Sequence, residues 1–181
     1  MKMLYFMRHG KTDNNVKRLL SGRYDIPLNE EGIEGVRKEA IEIKDIHIDI
    51  IFCSPLTRTK QTCKEINKYH NAPVIYEDCL IERSFGKYEN KPVTKMKPEK
   101  YWNYFKDDNK KNIEKLSEVF GRVYNFLDKI KEEYKGKDIL IIGHNDIGRA
   151  IYCYFNGLPE DGNVYPYRSV NAKIVSYSFE E

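Results

Sequence analysis

The sequence predicts an α/β protein built as a three-layer sandwich, with a mainly parallel central sheet and helices on both faces. Short runs of apolar, β-branched residues alternate along the chain with longer segments whose apolar residues recur every three to four positions. This alternation is typical of strand–helix–strand units, which place neighbouring strands parallel. Neither an internal repeat nor a Gly/Ser-rich linker interrupts the pattern, so residues 1–181 are predicted to form a single domain.

The first predicted strand and helix have clear boundaries. Met3–Met7 is an unbroken apolar run that ends at Arg8-His9-Gly10, as expected of a buried strand followed by a glycine turn. Asn29 is the predicted N-cap of a helix over residues 30–43, because two glutamates follow it in the first turn.

A second strand–helix–strand unit follows. Residues 48–53 are short and rich in β-branched residues, which predicts a strand. Ser54 is a plausible N-cap and Pro55 a first helical residue, so a helix is expected to run to about His70. Residues 74–76 are predicted to form a further short strand.

The second half of the chain contains the longest predicted helix. Apolar residues between 113 and 134 mark one face of an amphipathic helix that stops at Gly136. A buried strand at 138–142 and a helix at 145–155 follow, and the alternating pattern of 174–179 predicts an edge strand.

Composition restricts the class of protein. Hydrophobic residues make up 40% of the chain and aromatic residues 13%, which is more than disordered chains contain. No apolar run approaches the roughly 20 residues that a membrane span requires, and the N-terminus lacks the apolar stretch of a signal peptide. The net charge of +3 is small for a nucleic-acid-binding protein. We therefore expect a cytoplasmic protein with neither membrane nor nucleic acid as partner.

The spacing of cysteine and histidine predicts neither disulfides nor a zinc site. The cysteines form no C-x-x-C pair, and without a secretion signal they are expected to be reduced thiols. The histidines fall at no ligand spacing with them. The cysteines in question are Cys53, Cys63, Cys79 and Cys153.

Three predicted strands end close to cationic or titratable side chains. The first ends at Arg8-His9, the second is followed one helical turn later by Arg58, and the strand at 138–142 leads to His144. Ligands of parallel α/β sheets bind at the carboxyl ends of the strands. If the three strands are neighbours, two histidines and two arginines converge on one pocket.

This set of residues suits phosphoryl transfer. Two guanidinium groups hold a dianion such as phosphate bidentately, and helix N-termini near Ser54 and Asn145 add backbone N–H groups. A neutral imidazole in such a field is a nucleophile that attacks without first losing a proton. An acid for the leaving oxygen is also required, and spacing alone leaves Glu77, Glu82 and Glu89 as candidates.

Five ordered motifs carry a family resemblance. Residues 8–15 read R-H-G-K-T-D-N-N, residues 21–32 read S-G-R-Y-D-I-P-L-N-E-E-G, and residues 54–62 read S-P-L-T-R-T-K-Q-T. Residues 80–89 read L-I-E-R-S-F-G-K-Y-E, and residues 143–149 read G-H-N-D-I-G-R. In this order they resemble the signature motifs of the histidine phosphatase superfamily, the phosphoglycerate mutase-like enzymes.

The resemblance implies a role for each matching residue. His9 would carry the phosphoryl group during turnover, and Arg8, Arg58 and His144 would hold its oxygens. Glu82 would donate a proton to the leaving alcohol and then act as the base for water. The resemblance implies a small phosphorylated substrate, no metal and no organic cofactor. The residues that it implies for the phosphate pocket are Asn15, Ser21, Gly22 and Asn145.

Residues 87–111 are expected to cap this pocket. They hold eight lysines against four acidic residues, and the pattern predicts a loop with one short helix at 98–105. The lysines form either a solvated face or a surface that steers anionic substrates inward. The aromatic residues of the segment form either a packing cluster or a substrate contact; they are Tyr101, Trp102, Tyr104 and Phe105.

Three functions are compatible with these motifs. A metal-independent phosphomonoester phosphatase is preferred, because the stretch from Glu82 to His144 is shorter than in the mutases of the family that the sequence resembles. A shorter stretch leaves a more open pocket. The alternatives are a cofactor-dependent phosphoglycerate mutase and a non-catalytic protein that binds a phosphorylated ligand. The presence of all five implied catalytic residues counts against the last.

Overall fold

The computed structural model describes residues 2–106 and 112–179, and the strands within them form one sheet. The strands are β1 (Met3–Arg8), β2 (Ile50–Cys53), β3 (Val74–Tyr76), β4 (Ile139–Gly143) and β5 (Ile174–Ser178). Their order across the sheet is β3-β2-β4-β1-β5. All neighbouring pairs are parallel except β1 and β5, which are antiparallel. The predicted mainly parallel sheet with an edge strand near the C-terminus is confirmed.

Helices cover both faces of the sheet. The α-helices of the described residues are α1 (Asp13–Val16), α2 (Glu30–Glu42), α3 (Thr57–Ile66), α4 (Pro98–Tyr101), α5 (Leu116–Glu133) and α6 (Asn145–Asn156). Short 3-10 turns lie at Asp78–Leu80, Gly86–Tyr88 and Val93–Lys95. The helix α1 is absent from the sequence prediction, because four residues are too few to show a 3.6-residue period.

The two layers of core follow from the alternation of side chains along the strands. In β4, Ile139 and Ile141 are buried in the core formed with α5 and α6. Leu140 and Ile142 are buried in the opposite core, formed with α2 and α3. A strand whose successive residues all face packed helices is apolar throughout, which is why β4 has no polar alternation. The predicted three-layer sandwich is confirmed.

The start of α3 differs from the prediction. Ser54 does not cap the helix, which begins at Thr57 with Leu56 at the N-cap position and no side-chain cap. The Ser54 hydroxyl instead lies 2.8 Å from His144 Nε2. The helix also ends before His70, because the Asn67 amide pairs with the backbone of Ala72 and turns the chain.

The segment 87–111 is more irregular than predicted. Its helix α4 ends at Tyr101 rather than Phe105, since Trp102 leaves helical backbone geometry with ψ 29°. Residues 107–111 lie outside the described part of the chain. The helix α5 begins at Leu116, three residues later than its apolar pattern suggests, although Ile113 is buried in the same core.

The loop after β1 packs directly on the first turn of α2. Asn29 caps this helix as predicted, with its side chain accepting from Gly32 N at 2.8 Å. A Cβ atom at Gly32 would overlap the Lys11 carbonyl oxygen, and one at Gly10 would lie 2.8 Å from the Gly32 oxygen. The two glycines therefore allow backbone to touch backbone next to the end of β1.

We expect two glycines of α2 to respond oppositely to alanine. Gly32→Ala should lower the free energy of unfolding by about 1–3 kcal/mol, because the added methyl collides with a backbone that cannot yield. Gly35→Ala, where a Cβ meets nothing within 4 Å, should raise it by about 0.5–1 kcal/mol through helix propensity. Urea denaturation of both variants measures the difference, and equal effects would contradict the packing argument.

Candidate active site

The register of two neighbouring strands, β1 and β4, brings two histidines together. Arg8, the last residue of β1, lies opposite Gly143, the last residue of β4. The backbone continues the ladder, because His9 N donates to the Gly143 oxygen at 3.0 Å. The residues after each strand, His9 and His144, consequently have ring centroids 5.2 Å apart. Both lie at the carboxyl edge of the sheet.

His9 is held with one ring nitrogen unprotonated. Its Nδ1 lies 2.7 Å from the Gly10 carbonyl oxygen, which only accepts, so Nδ1 carries the proton. Nε2 therefore has an unprotonated lone pair, and Arg58 Nε donates to it at 3.3 Å. Burial lowers the pKa of His9 well below its usual value, and the positive charges of Arg58 and Arg8 lower it further. His9 is neutral at physiological pH.

Arg58 projects from the first turn of α3 into the buried site. Its guanidinium group donates to the carbonyl oxygens of Gly22 at 2.8 Å and Tyr24 at 3.1 Å. Together with the bond to His9, these contacts use three of its five N–H groups. Two N–H groups remain for an anionic ligand. Burial lowers the pKa of Arg58, and Glu82 opposes this shift.

Arg8 supplies the second cation. One terminal nitrogen donates to the Ser169 carbonyl oxygen at 3.0 Å, while its Nε is buried without a partner among the described residues. Burial lowers the pKa of Arg8 to about 10, so the side chain remains charged at neutral pH. The two arginines thus place positive charge beside His9.

His144 is the N-cap residue of α6 and is fully buried. Its Nε2 lies 2.8 Å from the Ser54 hydroxyl, and its Nδ1 has no partner among the described residues. Burial lowers the pKa of His144 well below the usual value, and Arg58 adds to the shift. Sequence analysis missed this contact of Ser54, because a serine before a proline resembles a helix cap.

The geometry distinguishes among the three candidate acids. Glu82 lines the cavity beside His9, whereas Glu89 accepts from Phe85 N at 3.0 Å and Glu77 precedes a 3-10 turn. The Glu82 carboxylate accepts backbone N–H groups of Asn145 at 3.0 Å and Asp146 at 3.2 Å. Burial, with a second contribution from Asp146, raises the pKa of Glu82 to about 7.

Asp146 connects the site to the segment 87–111. Its carboxylate accepts from Trp102 Nε1 at 3.0 Å and forms a buried ion pair with Arg149. Asp146 lies in the motif at residues 143–149, to which sequence analysis assigned no role for this residue. Its position in the first turn of α6, directly after the strand end, is the signal that could have indicated a role.

These side chains line a cavity of about 190 Å³ that opens to solvent. The four residues implied for the phosphate pocket all line it. Val93 and Trp102, which belong to the segment 87–111, line it as well. The implied residues are Asn15, Ser21, Gly22 and Asn145.

The short helix α1 fixes Asn15. Thr12 and Asn15 form a reciprocal capping box, in which Asn15 N donates to Thr12 Oγ1 at 3.3 Å. The Asn15 side-chain oxygen accepts from Thr12 N at 3.1 Å, which orients the amide at the wall of the cavity. Local hydrogen bonds therefore set this part of the site.

The arrangement combines a buried neutral imidazole, two cations and a carboxyl group whose pKa is raised to about 7. Such a set can stabilise a phosphoryl group and transfer a proton to its leaving oxygen. Among residues 2–106 and 112–179, no group of three or more histidine, cysteine or acidic side chains is placed to hold a metal ion. In the same ranges, every helix is too short or too polar to cross a lipid bilayer.

Curated relatives cover nearly the whole chain. It is 33% identical over 181 residues to the uncharacterized phosphatase PhoE of Bacillus subtilis, an alignment that covers 100% of this chain and 90% of PhoE. It is 30% identical over 168 residues to the probable phosphoglycerate mutase GpmB of Yersinia pestis, covering 88% of this chain and 77% of GpmB.

Solved structures share the fold. A phosphoserine phosphatase mutant from Entamoeba histolytica, in complex with phosphoserine, aligns with a TM-score of 0.86 at 21% identity and covers 99% of this chain and 92% of that chain. A family model described as the histidine phosphatase superfamily (branch 1) matches residues 4–181. The chain therefore belongs to the histidine phosphatase superfamily.

Proposed function

We propose that this protein hydrolyses small phosphomonoesters through a phosphohistidine intermediate on His9. The observation that carries the proposal is the unprotonated Nε2 of His9, buried between two arginines and 3.3 Å from Arg58 Nε. A neutral imidazole is a ready nucleophile, and the arginines offset the charge of a phosphate dianion. Membership of the superfamily and the likeness to PhoE support the assignment.

In the first step, the lone pair of His9 Nε2 attacks phosphorus. The bond between phosphorus and the leaving oxygen breaks as the N–P bond forms, and Glu82 gives its proton to that oxygen. Arg8, Arg58 and His144 stabilise the charge on the oxygens of the transferring group. The pKa of Glu82, raised to about 7, suits a proton donor at neutral pH.

In the second step, the Glu82 carboxylate removes a proton from water. The water oxygen attacks phosphorus, the N–P bond breaks, and its electron pair returns to His9 Nε2. Inorganic phosphate leaves and Glu82 is protonated again. The two steps together consume one ester and one water, and restore every side chain to its starting state.

Buried polar atoms without partners support binding of a phosphoryl group. Arg8 Nε and Ser21 Oγ are buried and unpaired among the described residues, and both residues line the cavity. Buried donors of this kind cost free energy unless a ligand satisfies them. Metal independence is part of the proposal, because the arginines supply the charge that a metal would otherwise bring.

The proposal also includes the segment 87–111, which we infer caps the cavity. Val93 and Trp102 support this role, since both line the cavity.

The proposal further places the protein in the cytoplasm. The described cysteines are free thiols, three of them buried, which fits a reducing compartment.

A mutase is the second candidate, favoured by the 30% identity to the probable phosphoglycerate mutase GpmB. A mutase returns the phosphoryl group from His9 to an acceptor hydroxyl instead of water. Incubation with 3-phosphoglycerate and a catalytic amount of the bisphosphate distinguishes the two. Isomerisation faster than phosphate release identifies a mutase, and the reverse identifies a phosphatase.

Replacement of His9 tests the nucleophile. His9→Ala should lower phosphate release from a panel of phosphomonoesters by roughly 10⁴-fold or more, because the covalent route is lost. His47→Ala is the matched control, since the His47 side chain is 74% exposed and pairs with Asp49 away from the cavity. Its activity should equal that of the unmodified protein.

The phosphate-release assay also tests for a phosphoryl group bound to His9 and for a requirement for a metal ion. Activity of the unmodified protein should survive a chelator, and an alkaline quench during turnover should trap labelled phosphate on the protein but not on His9→Ala. Full hydrolysis by His9→Ala would overturn the mechanism. Loss of activity on chelation, restored by a divalent metal, would overturn metal independence.

The pH profile tests Glu82 and Asp146. Because Glu82 must be protonated to donate, kcat/KM should fall as pH rises through about 7. Asp146→Asn removes a negative charge that raises the pKa of Glu82, and leaves Arg149 to lower it further. The fall should therefore move to lower pH by roughly one unit.

Asp128→Asn is the control for this shift, because Asp128 is bonded to Tyr154 in an exposed position. Its pH midpoint should match that of the unmodified protein. The midpoint is read independently of the fraction of active protein, so loss of stability in Asp146→Asn does not affect it. A midpoint unchanged in Asp146→Asn would contradict the assignment.

A further inference from the structure

The cavity carries more positive charge than phosphoryl transfer needs. Of the described residues that line it, five are arginines and two are carboxylic acids. Arg8 and Arg58 lie beside His9, and Arg149 is neutralised by its buried ion pair with Asp146. Two arginines are left; they are Arg18 and Arg168.

Arg18 occupies a costly backbone conformation at the cavity wall. Its φ is 55°, in the left-handed region that disfavours residues with a Cβ. Backbone hydrogen bonds hold it there, since its carbonyl accepts from Val93 N at 2.9 Å and its N donates to Asn15 O at 3.3 Å. Its guanidinium group makes no ion pair with any residue that the structure describes. Glycine would meet the backbone requirement at lower cost, so the side chain needs another explanation.

Arg168 reaches the cavity from a loop that the site itself anchors. Arg8 donates to the Ser169 oxygen, and Ser169 N donates to Asn145 Oδ1 at 3.1 Å. The Arg168 guanidinium lies over the Tyr165 ring, 5.8 Å from its centroid. Within residues 2–106 and 112–179 it pairs with no carboxylate. The backbone that carries Arg168 is thus fixed relative to Arg8, and the charge of Arg168 is not neutralised by a carboxylate of the described residues.

The charges of the reacting groups do not account for these two cations. A phosphomonoester dianion matches Arg8 and Arg58, and Glu82 is neutral when it donates its proton. Arg18 and Arg168 then remain as two positive charges at the cavity, one from the end of α1 and one from the loop before β5. Clustered like charges in a cleft favour an anion of matching charge.

From these positions we infer that the leaving group of the substrate carries a second anionic group, which Arg18 and Arg168 bind. The inference rests on the proposed phosphatase function and adds the substrate class and two specificity-determining residues. A carboxylate and a second phosphate share the required chemistry, because both accept bidentate hydrogen bonds from guanidinium. Phosphomonoesters whose leaving group is uncharged would use the phosphoryl site alone.

Matched pairs of substrates test the inference. The ester 3-phosphoglycerate differs from glycerol 3-phosphate by a carboxylate, and fructose 1,6-bisphosphate differs from fructose 6-phosphate by a phosphate. We expect kcat/KM to be about tenfold or more higher for the more anionic member of at least one pair. A preference in the first pair identifies a carboxylate, and one in the second pair identifies a phosphate.

Variants then assign the preference to the two arginines. Arg18→Gln with Arg168→Gln should bring the ratio of kcat/KM within the preferred pair close to one, chiefly through KM for the anionic member. Arg37→Gln is the matched control, because Arg37 pairs with Glu65 on the outer side of α2 and α3, and its ratio should stay high. Arg18→Gly should lower the ratio while unfolding at no lower temperature, which separates binding from a structural role.

Each result bears on one proposal. Hydrolysis of all four esters at equal kcat/KM overturns this inference and leaves the phosphatase function intact. A ratio that survives in the double variant also overturns it. Absence of phosphate release from every ester refutes the proposed function instead. A high ratio that collapses only when Arg18 and Arg168 are replaced supports the assignment.

Discussion

The parallel pairing of β1 with β4 is the constraint on which the site depends. Arg8 lies opposite Gly143, and His9 N donates a hydrogen bond to the Gly143 oxygen. The two strands therefore end at the same level, and the residues that follow them lie close together. A slip of one residue would turn every side chain of β1 to the other face and separate the histidines. Side chains of β4 are packed in the cores on both faces of the sheet, so a shift of register would lose close packing on both sides.

Buried arginines hold the loops around this edge of the sheet. Arg58, Arg83 and Arg149 are fully buried, and each binds a carbonyl oxygen of loop backbone. A buried charge without partners costs several kcal/mol, so these side chains stabilise the fold only with the loops in place. The loops near residues 22, 114 and 164 are thereby fixed by the requirement that each buried guanidinium group has hydrogen-bond partners.

The carboxyl group of Glu82 is defined by that positive cavity and by one neighbour. The arginines would lower its pKa, yet burial and the adjacent Asp146 outweigh them. Asp146 is itself held by Trp102 and Arg149, which links the Glu82 carboxyl group to the segment 87–111. Changes at Trp102 therefore reach Glu82 through two contacts, one from Trp102 to Asp146 and one from Asp146 N to the Glu82 carboxylate.

Most of the fold was predictable because its determinants are local. The apolar runs of β1 and β4, the Asn29 cap and the amphipathic face of α5 are properties of a few neighbouring residues. One error arose where a local signal had a distant partner. Ser54 resembles a helix cap in sequence, but its hydroxyl lies against His144, 90 residues away.

By itself, the sequence determined the strand–helix order, the residues that follow each strand and, through five ordered motifs, the family. Only the tertiary structure decided which glutamate lies in the cavity, which ring nitrogen of His9 is unprotonated, and that Asp146 adjoins Glu82. It also decided that Arg18 and Arg168 share one cavity. These features depend on distances between residues far apart in the chain, and packing of the whole sheet and its loops sets those distances.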